Sequence, residues 1–255
     1  MPVKAGIHYK FFEGKVAELR PAQVLIHGAG GDYLYWPPNI RRLPGYNIYT
    51  PDLPGHGKSP GRGHQTISAY SQSLDQWMKE IQLHSAVMVG HSMGAAIALE
   101  LAINHPARVA GLVLIGGGSR LRVNPDLLQA ASSPTTYHNA IKDIIEWSFG
   151  HETPENLKAL AEKRLQETRY SVLYGDLLAC QAFEVTEQLA DIQVPTLVLC
   201  GEQDRMTPPR YSQLLADSIE HASLEVIPDA GHMVMLEQPA LVADALMNYL
   251  EGIKL

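Results

Sequence analysis

The chain has 255 residues, 45% of them hydrophobic and 18% charged, with a formal net charge of -7. Length and apolar content suffice for one α/β domain with a sizeable core and exclude a disordered chain, while the acidic balance offers no basic surface to nucleic acid or anionic lipid. Cys180 and Cys200 have no C-x-x-C spacing and read as buried small hydrophobes, and the 11 histidines include no H-E-x-x-H pairing, so neither metal nor cofactor is expected.

The first residues, Met1 to His8, lack an apolar leader region, and no apolar run approaches the roughly 18 residues of a membrane span. A soluble, cytoplasmic protein is expected. Residues 3 to 19 alternate weakly around Glu13-Gly14-Lys15, predicting an antiparallel hairpin at a sheet edge. Gln23-Val-Leu-Ile26 predicts the first buried strand. It runs into His27-Gly28-Ala29-Gly30-Gly31, where three glycines in five residues let backbone approach a ligand. This loop has neither G-x-G-x-x-G nor a Gly-Lys-Ser/Thr ending, so a nucleotide is not its expected ligand.

Tyr33-Leu-Tyr-Trp36 opens a short amphipathic segment, and Tyr46 to Thr50 predicts a strand ending in the rigid loop Pro51-Asp52-Leu-Pro-Gly-His56-Gly-Lys-Ser59. Asp52 and His56 read as groups that fix this loop. Thr66 to Leu83 is periodic for a helix, with Thr66 as its N-cap.

Ser85 to Val89 is short, apolar and β-branched, as a doubly buried parallel strand requires. Ala95 to Ala102 is dense in helix formers. Between them stands Gly90-His91-Ser92-Met93-Gly94. A strand-to-helix elbow of this kind strains the serine and exposes its Oγ, and side chains two residues to either side would collide with neighbouring backbone. The Met93 N–H, at the helix N-terminus, is placed to face an oxyanion formed on Ser92, and the fitting role of the glycine loop is the second donor, the N–H of Ala29.

Ala110 to Ile115 predicts another buried strand, whose Gly116-Gly-Gly118 end has no carboxylate. From about 119 to 190 strand signals stop, and short amphipathic helical patterns follow one another, punctuated by proline and glycine. This excursion reads as a helical lid over 119–190, inserted in a core of 1–118 and 191–255. Tyr33, Tyr137, Trp147, Phe149, Tyr174 and Phe183, with Met206 and Met233, are the candidate substrate-pocket residues. Among the lid arginines, Arg120, Arg122 and Arg169 read as solvated surface or as a carboxylate site.

Strand signals resume at Pro195 to Cys200. Asp204 follows just beyond the strand end, where open parallel sheets place their active sites, with Glu202 as the rival acid. A helix from Pro209 to about Ile219, a strand from Ser223 to Ile227, the loop residue His232 and a closing helix from about Glu237 to Glu251 complete the chain. A serine hydroxyl needs a base of near-neutral pKa, and a carboxylate on the far ring nitrogen fixes the tautomer of that base. Ser92, Asp204 and His232 supply nucleophile, acid and base.

That order is the one found in α/β-hydrolases. Together with His27-Gly-Ala-Gly-Gly31, Asp52-Leu-Pro-Gly-His-Gly-Lys-Ser59, Gly90-His-Ser-Met-Gly94, Gly201-Glu-Gln-Asp204 and Gly231-His232, it makes the chain resemble the α/β-hydrolase fold superfamily, in its esterase-like branch with a helical cap. The resemblance implies a mostly parallel central sheet flanked by helices, and a serine hydrolase for a small-molecule ester or related acyl substrate. Relatives that open epoxides or remove halides carry aspartate where this chain has Ser92. Lactones, thioesters, perhydrolysis and carbon-carbon cleavage remain open on the same triad, as does a small-molecule receptor role. The oligomeric state is open too, since an exposed apolar lid face suits a second copy as well as a substrate.

Overall fold

The computed structural model describes residues 3–14 and 20–253. Strands β1 (Val3–Lys4) and β2 (Ile7–Phe12) form a hairpin closed by Ala5 and Gly6, whose φ of 45° and 73° are those of a two-residue primed turn. Then come β3 (Gln23–Ile26), the short helix α1 (Pro38–Arg41) and β4 (Ile48–Pro51). The hairpin expected around Glu13-Gly14-Lys15 is therefore corrected: the turn lies at Ala5-Gly6, and the strand after it pairs antiparallel with β1 and β4. Gly14 serves close packing instead, since a Cβ there would lie 2.5 Å from the Tyr46 nitrogen. Residues 15–19, the far arm of that expectation, lie outside the described residues.

Helix α2 (Ile67–Glu80) starts as predicted at Thr66, whose hydroxyl accepts from the Ala69 N–H. Next are β5 (Ala86–His91), α3 (Met93–Asn104) and β6 (Val109–Ile115). Four helices follow without an intervening strand: α4 (Pro125–Ala131), α5 (Tyr137–Ser148), α6 (Glu155–Glu167) and α7 (Tyr170–Ala182). The chain then returns through β7 (Thr196–Gly201), α8 (Pro209–Ser218), β8 (Ala222–Ile227), α9 (Val234–Glu237) and α10 (Pro239–Gly252).

Among the described residues eight strands form one sheet in the order β1-β2-β4-β3-β5-β6-β7-β8, antiparallel only at β1–β2 and β2–β4. Side chains alternate between two buried faces. Ala86 and Met88 pack with Leu74 and Trp77 of α2 and Ile97 of α3, whereas Val87 and Val89 pack with Ile40 of α1 and Leu246 of α10. Burial on both faces explains why β5 and β6 read as continuous apolar runs. Helices α4 to α7 have an apolar cluster of their own, around Leu127, Ile141, Leu165, Leu173 and Leu177. Among the described residues no helix is long and apolar enough to cross a membrane.

Candidate active site

The central strand β5 ends in Gly90 and His91, and α3 begins at Met93, so Ser92 alone makes the reversal. Its φ of 55° and ψ of -115° lie outside the usual region for a residue with a Cβ. The two glycines are spatial necessities: a Cβ on Gly90 would sit 2.2 Å from the Gly94 carbonyl oxygen, and one on Gly94 would sit 2.1 Å from that of Ile26. The second contact brings the N-terminus of α3 against the exit of β3, where the loop holding Ala29 begins. The first N–H groups of α3 have no intrahelical acceptor, and Met93 heads them.

Asp204 is buried in the turn after β7. Its Oδ1 accepts from the N–H groups of Met206 (2.9 Å) and Thr207 (2.8 Å), and its Oδ2 lies 2.8 Å from His232 Nδ1. The Thr207 hydroxyl, 2.9 Å from the same Oδ2 and 2.8 Å from the Gly116 carbonyl oxygen, completes the setting. Burial pushes the Asp204 carboxyl up, but the neighbouring imidazole and these hydrogen bonds outweigh it and hold the group below the usual carboxylate range. An ionised acceptor at Nδ1 leaves His232 Nε2 as the basic nitrogen. Gly116 permits the approach, since a Cβ there would stand 3.1 Å from Nδ1. The rival Glu202 is exposed and makes no such contact; its N–H donates to the Ile227 carbonyl.

His91, the residue before Ser92, supports the His232 loop. Its Nε2 donates to the His232 carbonyl oxygen at 3.0 Å, and the two rings lie 4.8 Å apart. Burial first, then the adjoining His232, depress its pKa to about 3, so it stays a neutral donor. Glu237 ties the same loop to the helical excursion. One of its oxygens accepts from Gly231 N–H (2.9 Å), and the other accepts from Gly150 N–H (2.7 Å) and the Thr153 hydroxyl.

Ser92 stands where two chambers meet. The inner one, of about 50 Å³, also touches His232 and is walled by Ile144, Phe149, Leu165, Leu173 and Met233. The outer one, of about 330 Å³, reaches Ala29, Leu121, Trp147 and Met206, and carries Arg122 and Arg205 but no carboxylate. Trp147, Phe149, Met206 and Met233 thus line chambers as expected, and four expected lining residues do not. Tyr33 lies on the outer side of the glycine loop, where its ring faces the Lys10 ammonium and the Arg41 guanidinium. The Tyr137 hydroxyl donates to backbone carbonyls at the end of α6, those of Leu165 (3.2 Å) and Thr168 (2.7 Å). Tyr174 is turned about 100° from the chamber-facing stripe Leu173-Leu177-Cys180 and packs inside the helical excursion. Phe183 belongs to the core beneath the sheet.

Asp52 and His56 fix loops, as read. Asp52 accepts from Tyr33 N–H (2.9 Å) and Lys58 N–H (3.0 Å) and faces His8 Nδ1 at 2.7 Å. Arg169 donates to the Gly55 and Gly61 carbonyls, and Arg120 forms a backbone bridge with Glu184. The sequence reading missed Thr207, Arg205, Glu237 and above all Asp176, a fully buried carboxylate on α7. A lone charge in the otherwise uncharged run Tyr170–Ala182 was the available signal. Both cysteines are buried, with thiol pKa values pushed up by burial. Among the described residues no group of three or more His, Cys, Asp or Glu side chains is placed to hold a metal ion.

The model of the alpha/beta hydrolase family matches residues 23–245. The chain belongs to that family. The chain is 29% identical to a pimeloyl-(acyl-carrier protein) methyl ester esterase of Aromatoleum aromaticum, over 91% of this chain and 99% of the relative. It is 28% identical to protein ABHD8 of Bos taurus over 88% of this chain but 55% of the relative, so the chain spans about half the length of that curated protein. A solved thermophilic esterase superposes with a TM-score of 0.81 at 29% identity, covering 97% of this chain and 98% of the other.

Proposed function

We propose that this α/β-hydrolase cleaves carboxylic esters of small to medium substrates through an acyl-enzyme, with Ser92 as nucleophile, His232 as general base and acid, and Asp204 as the group that orients His232. The observation that carries the reading is the 2.8 Å contact between Asp204 Oδ2 and His232 Nδ1, made by a histidine that shares a chamber wall with the strained Ser92. His232 Nε2 takes the Ser92 proton as Oγ adds to the ester carbonyl. The oxyanion is held by the N–H groups of Met93 and Ala29. The imidazolium then protonates the departing alkoxide, and water attacks the acyl-serine by the same route. Residues 119–190 act as the lid that keeps the two chambers dry.

Chamber sizes divide the substrate. The inner chamber suits a small apolar group, and the outer chamber suits a longer one whose far end is anionic, facing Arg122 and Arg205. A small alcohol on a longer acyl chain is also what the methyl ester esterase named above implies. The test is release of p-nitrophenol from esters of graded acyl length. Wild type should turn over with an optimum length, and Ser92→Ala should lose at least about 10³-fold in kcat with an unchanged circular dichroism spectrum. A folded Ser92→Ala variant that keeps most of its activity overturns the mechanism.

A further inference from the structure

Asp176 is the one acidic residue of α7, has no exposed surface and lines neither chamber next to Ser92. Burying a carboxylate is costly unless its lone pairs are satisfied, and here they are, by three groups of the core. Oδ1 accepts from the Tyr70 hydroxyl at 2.6 Å. Oδ2 faces His56 Nε2 at 2.7 Å and accepts from the Gly30 N–H at 2.8 Å. The other His56 nitrogen faces the Pro54 carbonyl oxygen at 3.1 Å, which can only accept, so Nδ1 carries a proton and Nε2 is the nitrogen turned to Asp176. Burial lowers the His56 pKa, but the Asp176 charge and hydrogen bond outweigh it and raise the value above that of a free histidine.

What matters for chemistry is the third partner. Three successive peptide groups around Ala29 are anchored. The Gly28 carbonyl accepts from His27 Nδ1 at 2.8 Å and from the Gly31 N–H at 3.1 Å. The next peptide is held through its Gly30 N–H by Asp176, and the one after through the Gly30 carbonyl, which accepts from the Thr168 hydroxyl at 2.8 Å. The first anchor is internal to the loop, whereas the second and third come from the helical excursion. Gly30 has φ of +66°, and a Cβ there would meet Leu165 Cδ1 at 2.5 Å, so the same helices also press on the loop sterically. The two peptide planes on either side of the Ala29 Cα are therefore fixed by different bodies, His27 on one side and Asp176 on the other.

We propose that Asp176 is a positioning residue that completes the oxyanion site: by holding the Gly30 N–H it fixes the peptide that follows Ala29 and, together with the His27 anchor on the peptide that carries the Ala29 N–H, sets the backbone that aims that N–H at the reacting carbonyl, so the site is fully assembled only when α7 is seated. This rests on the assignment of Ala29 as an oxyanion donor. The test pairs kinetics with backbone exchange, using Asp176→Ala and Asp176→Asn. Asparagine can present its oxygen to Gly30 and its amide to the Tyr70 hydroxyl, so it should stay within about threefold of wild type, whereas alanine leaves the Gly30 N–H unpartnered. On p-nitrophenyl butyrate, Asp176→Ala should lower kcat about 10- to 100-fold, less than the loss of a whole oxyanion donor, with KM within about twofold. Hydrogen exchange of the peptide spanning residues 27–31 should quicken at least about tenfold in Asp176→Ala, with β5 protection unchanged, and should be near wild type in Asp176→Asn. If alanine does not yield folded protein, Asp176→Ser, which leaves a hydroxyl for His56, carries the same expectations. A folded Asp176→Ala or Asp176→Ser variant with wild-type kcat, or with unchanged exchange at residues 27–31, overturns the proposal. Should wild type hydrolyse no ester at all, the esterase reading fails, and the exchange result still decides whether Asp176 holds this loop.

Discussion

At the scale of single residues, two carboxylates two positions apart after β7 have opposite fates. Asp204 points inward, is desolvated and receives hydrogen bonds from two backbone N–H groups, whereas Glu202 remains in water. Only a carboxylate held on Nδ1 can keep His232 in the tautomer whose Nε2 is basic. Asp204→Asn should therefore lower kcat about 10³- to 10⁴-fold on p-nitrophenyl esters, and Glu202→Gln should change it less than about twofold, since surface charges contribute little. Steady-state rates of the two purified variants decide this, and the reverse ranking would move the orienting role to Glu202. The sequence discriminated these residues only by distance from the strand end. The decisive difference, the Asx-type turn that folds Asp204 back over Met206 and Thr207, depends on φ and ψ that no residue type dictates.

At the scale of elements, α5 and α7 each present one stripe to the chambers, and stripe membership rather than aromatic character determines what lines them. Trp147 falls on such a stripe and Tyr174 does not, although both are aromatic and both lie in the excursion. Helical periodicity was legible there, but the rotation of each helix about its axis is set by packing against the core and was not. The elbow between β5 and α3 was legible because every constraint on it is local: an apolar β-branched run, two glycines that no side chain can replace, and a run of helix formers. The edge hairpin was expected at Glu13-Gly14-Lys15 rather than at Ala5-Gly6 because a glycine required for contact with Tyr46 carries the same letter as one required for a turn. The outer chamber yields an element-scale prediction. The double variant Arg122→Gln/Arg205→Gln should lower kcat/KM about 5- to 20-fold for an ester with a terminal carboxylate on its acyl chain, the scale of a partly screened charge-assisted contact. A neutral ester of equal length should be unaffected within about twofold, and added salt should narrow the wild-type preference. Equal losses on both substrates would remove the anion from the substrate assignment.

At the scale of the whole molecule, the face that carries the candidate site includes two histidines, His27 and His91, that the fold keeps uncharged. His27 accepts from the Leu53 N–H through Nε2 and holds the Gly28 carbonyl through Nδ1, so no nitrogen is free for another proton. Burial first, and then the charge on His56, depress its pKa to about 4, while His91 is depressed to about 3. A histidine whose folded pKa lies below its unfolded value of about 6.5 stabilises the fold fully above that value. The contribution is lost as pH falls toward the folded pKa, because the unfolded chain takes up the proton first. From pH 7 to pH 5 the two histidines together should cost about 4 kcal/mol, about 2 for each. His56, with its raised pKa, has the opposite sign: its contribution is present below about pH 6.5 and fades only as pH rises through the folded value. The fold should therefore weaken on mild acidification even though its His56–Asp176 pair remains intact. Urea unfolding at pH 7 and pH 5 checks this in wild type and in His91→Gln, whose side chain retains a donor for the His232 carbonyl but cannot titrate. The variant should lose about half of the pH dependence. A midpoint that is the same at both pH values in wild type, or an equally steep dependence in His91→Gln, would mean that these rings already carry their charge in the folded protein.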